Sequence, residues 1–237
     1  MKRTLLILAL LISVAGFGQK SCYFGIGGFY GASGVTNQNA YGQSEMDYEI
    51  PSSYGFNVTA GYGFNDKIGL QLEVGYGLLG QKYSDTRDYQ PITRDIDLTY
   101  IQIPVLFKYH TTGELARFYL LAGPQLAFLT SAKQDYLMNG EPAPPFYNEE
   151  YGDTIDVSKS DIKDRLSSFD LMARLDFGVE VVIAKNLMLD LGLTMRYGLL
   201  DLNAEDWQLK DKTGNYHASH NFCGGLNLGI NYQIPFK

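Results

Sequence analysis

The sequence is poor in basic residues and in helix-forming runs. Its 237 residues include 19 Lys and Arg against 26 Asp and Glu, which gives a formal net charge of -7, and no basic run is present. Without a basic patch the chain has no means of neutralising phosphates, so a nucleic-acid partner is not expected. Runs of Ala, Leu, Glu and Lys are scarce after the N-terminal segment, which disfavours a helical fold.

Cysteine is scarce as well. Cys22 and Cys223 are the only two in the chain, too few for the disulfide framework of a small secreted domain. In a closed barrel they would lie on the neighbouring first and last strands, but near opposite ends. We therefore predict two unpaired thiols, because that separation exceeds the reach of a disulfide.

Long hydrophobic runs are absent except at the N-terminus. Lys2 and Arg3 precede an apolar run over residues 5–14, which is shorter than the roughly 20 residues that a membrane-spanning helix needs. Small residues follow, as a signal peptidase requires. The pattern predicts a signal peptide over residues 1–18 and a mature, exported domain over residues 19–237.

Strand-forming and turn-forming residues are abundant instead. The chain holds 26 Gly, 18 Tyr and 13 Phe, and apolar residues alternate with polar ones in segment after segment. A period of two is typical of strands. Eight strands are predicted, over residues 23–33, 53–64, 68–82, 96–109, 117–130, 168–183, 187–203 and 220–236.

The connections between these strands alternate in length. Those over residues 34–52, 83–95, 131–167 and 204–219 are long, and those over residues 65–67, 110–116 and 184–186 are short. In an up-and-down meander every long loop then lies at one end. The predicted fold is an all-β, eight-stranded antiparallel up-and-down transmembrane β-barrel with long extracellular loops and short periplasmic turns.

The character of the polar row separates a membrane barrel from a soluble one. The stretch LTYIQIPVLFKY covers residues 98–109, and its face from Ile101 to Phe107 is mostly apolar. Across the strands, the opposite faces mix glycine with nearly balanced charges, as an enclosed lumen requires. A secreted lipocalin-like barrel with an apolar interior is the alternative. Ten side chains are expected to form a structural polar network in the lumen: Glu73, Gln102, Lys108, Arg117, Asp170, Arg174, Asp176, Glu180, Asp190 and Arg196.

Three segments resemble a known family. YIQIPVLFKY, RFYLLAGPQLAFL and SSFDLMARLDFGVEVVI follow one another in the order found in the PorT-like outer-membrane β-barrel proteins of Bacteroidetes. The resemblance covers most of the mature chain and implies a porin-like barrel in the cell envelope of a Gram-negative bacterium. A few members of that family are linked to secretion and gliding machinery, so the resemblance implies envelope or secretion-machinery proteins as partners.

Three functions are compatible with these patterns. A non-enzymatic structural or partner-binding role, exerted by the extracellular loops of a monomeric barrel in outer-membrane lipid, is favoured. A small-solute pore is the alternative. The third hypothesis is a lipid-modifying enzyme, because His217 and Ser219 stand two apart, as a base and a nucleophile would in an extended segment. His217, His220 and Cys223 are spaced for a helical metal site but lie in an extended region, so neither metal nor cofactor is expected.

Overall fold

The computed structural model describes residues 21–36, 47–87, 89–148, 153–210 and 214–236. Its main feature is a barrel of eight strands. They are β1 (Ser21–Thr36), β2 (Ser52–Gly63), β3 (Ile68–Arg87), β4 (Gln90–His110), β5 (Ala116–Met138), β6 (Phe169–Ala184), β7 (Leu187–Gly198) and β8 (His220–Pro235). The predicted signal peptide lies outside the described residues.

Each barrel strand pairs in antiparallel fashion with its neighbours along the chain, and β8 pairs with β1 to close the ring. Closure leaves no free edge in the wall. The predicted eight-stranded up-and-down barrel is therefore confirmed. No helix among the described residues is long and apolar enough to cross a membrane.

Short connections gather at one end of the barrel, called here the turn end. They cover residues 64–67, 111–115 and 185–186. In the first of them the Asn65 side chain accepts hydrogen bonds from the backbone N–H groups of Lys67 and Ile68, at 2.8 and 2.9 Å. This local Asx turn lets four residues reverse the chain, and the prediction of short turns is confirmed.

The opposite end, called the loop end, corrects the prediction in two places. Residues 83–95 do not form a long loop, because β3 continues to Arg87 and β4 starts at Gln90. Likewise β5 runs on to Met138, so the predicted loop over residues 131–167 begins later. In both places apolar and polar residues still alternate beyond the predicted strand end. There, however, the apolar residues face inward and the polar ones face outward, as Tyr136 and Asp135 show.

The loops at this end also carry structure of their own. Short strands at Asp47–Glu49 and Glu141–Pro142 extend the sheet, and Phe146–Asn148 pairs with Asp153–Ile155. A 3-10 turn lies at Lys163–Arg165. A second 3-10 turn follows β7, which ends at Gly198 rather than at residue 203.

Together these parts form a layer over the barrel that we call the cap: residues 80–87, 89–99 and 131–138 of the extended strands, with loop residues 141–148, 153–168, 199–210 and 214–219. Its interior is buried and mostly apolar, and it also holds polar side chains such as Arg94, which donates to Gln134 Oε1 at 2.8 Å. The buried side chains include Tyr83, Ile92, Ile96, Leu98, Ala132, Tyr136, Ile155, Val157, Ile162, Leu166, Leu202 and Leu209. Three extended strands therefore act as a platform on which two loops pack.

Strand β4 shows how one strand serves both layers. Its buried row is apolar at Ile96 and Leu98 but polar at Gln102 and Lys108, whereas its outer row changes from acidic residues to exposed apolar ones at Ile101. A shift of register with β5 occurs at Thr99/Tyr100. Below this point the barrel is polar inside and apolar outside, which is the reverse of a lipocalin-like barrel.

Both cysteines are free, as predicted. Cys223 lies opposite Ser33 in the pairing of β1 with β8. Cys22 lies near the start of β1, about 11 residues before Ser33, and each residue of a strand adds about 3.4 Å. The two thiols therefore lie near opposite ends of the barrel.

Candidate functional site: the lumen and its cap

The ten polar side chains expected in the lumen all occur on inward-facing positions of β3 to β7. Eight of them are buried, and Arg117 and Asp190 are partly accessible. The pairing of β6 with β7 places Arg174 opposite Arg196, and Glu180 opposite Asp190. Like charges opposite each other are destabilising unless other groups compensate them. Opposite charges compensate them, from β3, β4 and β5 and, at Asp176, from β6 itself.

The first cluster, the middle quartet, consists of Glu73, Arg174, Asp176 and Arg196. Arg174 lies between the two carboxylates: Nη1 donates to Glu73 Oε2 at 2.8 Å, and Nη2 donates to Asp176 Oδ2 at 2.7 Å. The side chains of Arg174, Glu73 and Asp176 are at most 3% exposed. Two positive and two negative charges make the quartet neutral, which burial in low dielectric demands.

Arg196 completes this quartet without a direct ion pair among the described residues. Its guanidinium donates from Nη1 to Gln102 Oε1 at 2.8 Å and stacks over the Phe29 ring at 3.8 Å from the centroid. Cation–π stacking is strongest where water is excluded. A cavity of only about 10 Å³ lies beside Arg174 and Arg196, room for about one water molecule.

The second cluster, the turn-end quartet, consists of Lys108, Arg117, Glu180 and Asp190. Glu180 accepts from Lys108 Nζ with one carboxylate oxygen and from Arg117 Nε with the other. Asp190 accepts from Asn231 on β8. This quartet is neutral too, and both side chains of the Lys108–Glu180 pair are almost completely buried.

Asp170 lies apart from both quartets, towards the cap. Its carboxylate accepts from Asn221 Nδ2 at 3.3 Å, and Asn221 also donates to the Tyr100 hydroxyl at 3.1 Å. The structure thus divides the ten residues into two neutral quartets, Gln102 beside the first, and one carboxylate held by hydrogen bonds. Sequence reasoning missed their polar neighbours Asn57, Gln71 and Tyr23, which contact Glu73 or each other.

A polar cavity of about 560 Å³ opens at the turn end. Its lining includes His110, Glu114 and Arg117, together with Ser21 and Gln233. Arg117 belongs both to this lining and to the turn-end quartet, so the quartet lies at the inner side of the cavity. Side chains of the two quartets occupy the lumen beyond it.

In the cap, one stacking contact ties two loops together. The Arg165 guanidinium lies 4.5 Å from the centroid of the Trp207 ring. Backbone bonds reinforce it: Ser167 N–H donates to Leu202 O at 2.8 Å, and Ala204 N–H donates to Arg165 O at 3.0 Å. The loops after β5 and β7 therefore form one packed unit. Sequence reasoning missed it, although the apolar alternation of residues 92–98 carried the signal.

Asp201 organises the loop before β8. Its carboxylate accepts from the Tyr216 hydroxyl at 2.6 Å and from the Ser219 backbone N–H at 3.1 Å. Asn203 Nδ2 donates to the hydroxyls of both Tyr216 and Ser219, each at 3.0 Å. Burial, with the hydrogen bond to Asp201 adding to it, raises the pKa of Tyr216 above its usual value.

His217 and Ser219 are not brought together. Ser219 is buried and its hydroxyl is engaged by Asn203, whereas His217 is exposed. His220 packs against the Tyr197 ring at 5.6 Å and its Nδ1 lies 3.0 Å from Leu200 O. In the part of the chain that the structure describes, no group of three or more His, Cys, Asp or Glu residues is placed to hold a metal ion.

A family model described as "Outer membrane protein beta-barrel domain" matches residues 17–203, more than half of the chain. The chain belongs to this family. In an outer-membrane barrel the short turns are periplasmic and the long loops extracellular. The turn end of this outer-membrane barrel is therefore periplasmic, and its cap is extracellular. A search of curated proteins finds no match.

Several solved outer-membrane barrels are similar to this one. Neisserial surface protein A (NspA) is 13% identical, with 89% of this chain and 96% of that chain covered and a TM-score of 0.44. Ail, the attachment invasion locus protein of Yersinia pestis, is 14% identical over 92% and 100% of the two chains, with a TM-score of 0.38. OprG from Pseudomonas aeruginosa is 11% identical over 92% and 96%, with a TM-score of 0.40.

Proposed function

We propose that this outer-membrane barrel is a non-enzymatic anchor that presents its extracellular cap to a binding partner. The observation that carries the proposal is that the molecule has two layers with different interiors, a charged one in the membrane and a mostly apolar one above it. The membrane layer is filled by two neutral quartets, and above them one buried apolar cluster extends from Phe29 and Met172 of the barrel into the cap. A filled lumen favours anchoring over transport, and a packed cap offers a preformed surface for binding.

The nature of the partner is proposed from the sequence. The resemblance to PorT-like proteins of Bacteroidetes supports an envelope protein or a component of secretion machinery. Export through a signal peptide over residues 1–18 belongs to the same proposal, as does a monomeric barrel. The lumen network itself is proposed to have a structural role.

Site-specific photo-crosslinking in intact cells tests the binding role. Tyr89 and Tyr147 are exposed on the loop end, and Leu115 is exposed on a periplasmic turn. A photoreactive residue at Tyr89 or Tyr147 should give a discrete protein adduct, and the same residue at Leu115 serves as the matched control. Absence of an adduct from both cap positions, with the barrel folded in the membrane, would contradict the proposal.

The pore alternative has one observation in its favour, the polar cavity that opens at the periplasmic end. Conductance of the purified barrel in planar bilayers separates the two functions. We expect no stable channels, because the quartets obstruct the lumen. Channels of fixed size would support the pore instead.

An enzymatic role is not proposed, because the buried Ser219 and the exposed His217 do not form a base–nucleophile pair. Cells that overproduce the protein should therefore contain unchanged lipid A. Modified lipid A that disappears with Ser219→Ala would revive the enzymatic hypothesis.

A further inference from the structure

A groove of about 480 Å³ lies on the outer surface of the wall that β5, β6 and β7 form. Small residues make up its floor, namely Ala122, Gly123 and Ala173, and larger ones make up its sides, namely Leu175, Met195 and Tyr197. Arg174 and Arg196 also border it, but their guanidinium groups are engaged in the lumen with Glu73 and Gln102. The side chains that face outward are therefore apolar.

The groove follows from the register of three strands. One cross-strand row consists of Ala122, Leu175 and Met195, and the next row consists of Pro124, Ala173 and Tyr197. An alanine next to a long side chain leaves a depression in a wall whose outer surface is otherwise made by large apolar groups. Because successive rows place their alanines on β5 and β6, the depression extends over both strands.

Aromatic pairs mark the depth of this groove in the membrane. Tyr197 packs against His220, and Phe128 packs against Phe169 with ring centroids 5.3 Å apart, both towards the loop end. Aromatic girdles lie at the interfaces of outer-membrane barrels. The groove begins at Tyr197 and extends away from the cap, so it lies in the outer leaflet.

We propose that this groove is a binding site for one acyl chain of an outer-leaflet lipid. It is continuous with the apolar belt that already contacts lipid, so its occupant is hydrocarbon and not water. A chain in the groove touches protein on its floor and on both sides, whereas a chain on a smooth wall touches it on one side. Each added close contact contributes dispersion attraction, which retains the chain longer.

Acyl-chain photolabelling tests this proposal. The full-length mature barrel is reconstituted in vesicles of phosphatidylethanolamine and phosphatidylglycerol that contain a trace phospholipid with a diazirine on its acyl chain. After irradiation, labelled peptides are mapped by mass spectrometry. Labelling should concentrate at Ala173–Leu175 and at Met195. Uniform labelling around the belt would overturn the proposal.

Filling the groove gives the second arm. Ala173→Leu and Ala122→Leu each place a larger side chain on its floor, and loss of the label at Met195 is expected for both. The control is Ala60→Leu on the far wall, where Ala60 lies between the outward-facing Phe24 and Leu72. Heat-dependent gel mobility verifies that each variant is folded.

Two outcomes of this arm would overturn the proposal. One is labelling of Met195 that persists in both folded groove-filled variants. The other is a native-gel dimer that Ala173→Leu abolishes, which would assign the groove to a second copy of the chain. Labelling lost in the groove variants and retained in Ala60→Leu supports an acyl chain.

Discussion

At the scale of single residues, charge neutrality decides which charged side chains can be buried together in the lumen. Arg174 opposite Arg196, and Glu180 opposite Asp190, would repel each other in isolation. Opposite charges reach them from other strands of the ring, for example from Glu73 on β3. Each buried charge is tolerated because a partner reaches it, either from its own or an adjacent strand, as Asp176 does, or from across the closed ring, as Glu73 does.

The first prediction concerns Arg174→Met, which preserves much of the side-chain volume and removes the positive charge. Glu73 and Asp176 would remain buried without their common partner, so the barrel should lose about 3–5 kcal/mol of stability. Lys82→Met is the control, because the Lys82–Asp95 pair is 43% and 42% exposed; it should cost about 0–1 kcal/mol. Urea unfolding in lipid vesicles, followed by gel mobility, measures both. Equal losses would contradict the prediction.

The second prediction concerns Tyr216 at alkaline pH. Its pKa is raised above 10.0 because burial and Asp201 disfavour the phenolate. The stabilisation that the protonated Tyr216 contributes is complete below pH 10.0. It declines as the pH rises towards the folded-state pKa, because Tyr216 loses its proton at a lower pH in the unfolded loop than in the folded cap.

An alkaline titration of Trp207 emission measures this decline, since Trp207 lies in the same cap. The wild type should show a loss of cap structure above that pH, and the Tyr216→Phe variant should lack this part of the pH dependence. The remaining tyrosines are common to both proteins and provide the internal control. Identical profiles would contradict the prediction.

At the scale of the element, β4 is one strand with two environments. Its outward row includes Asp97 in the cap and Val105 in the membrane belt, in the same regular alternation. Local alternation is therefore constant along the strand, and only the surroundings differ.

The third prediction uses this row. Val105→Arg places a charge in the lipid-facing belt and should destabilise the barrel by about 2–4 kcal/mol, whereas Asp97→Arg, on the same face but in the cap, should cost about 0–1 kcal/mol. Folding yield and urea midpoints in vesicles measure the difference. If Asp97→Arg is as costly as Val105→Arg, the lipid-facing belt extends further up the strand than the side-chain pattern indicates.

At the scale of the whole molecule, two layers with different interiors share the same strands. The barrel wall is closed by antiparallel pairing and filled by ion pairs, whereas the cap is held by apolar packing and by the Arg165–Trp207 contact. Units of different construction open independently in many proteins.

The fourth prediction is that the cap unfolds before the barrel. Trp207 is the only tryptophan in the chain, so its emission reports on the cap, and gel mobility reports on the barrel. In urea the emission change should precede the mobility change. Arg165→Ala should shift only the first transition. Coincident transitions in the wild type would show that the two layers unfold as one unit.

The sequence by itself determined the number of strands, their up-and-down order and the face that each presents to lipid. These features depend on local alternation and turn residues, such as the Asx turn at Asn65, which act over a few positions. It also determined which side chains face inward, because every barrel strand alternates between its two faces.

Only the tertiary structure decided which charges meet and where the strands end. Glu73 and Arg174 are 101 positions apart, and their contact exists because the ring closes with β3 facing β6 across the lumen. Strand pairing continues through most of the predicted loop over residues 83–95. The reason is that Tyr83 and Ile92 are buried in the cap, where loops distant in sequence cover them. Alternation over residues 92–98 indicates a buried face, but it does not say which loops bury it or which charges pair across the barrel, since both depend on groups that only folding brings together.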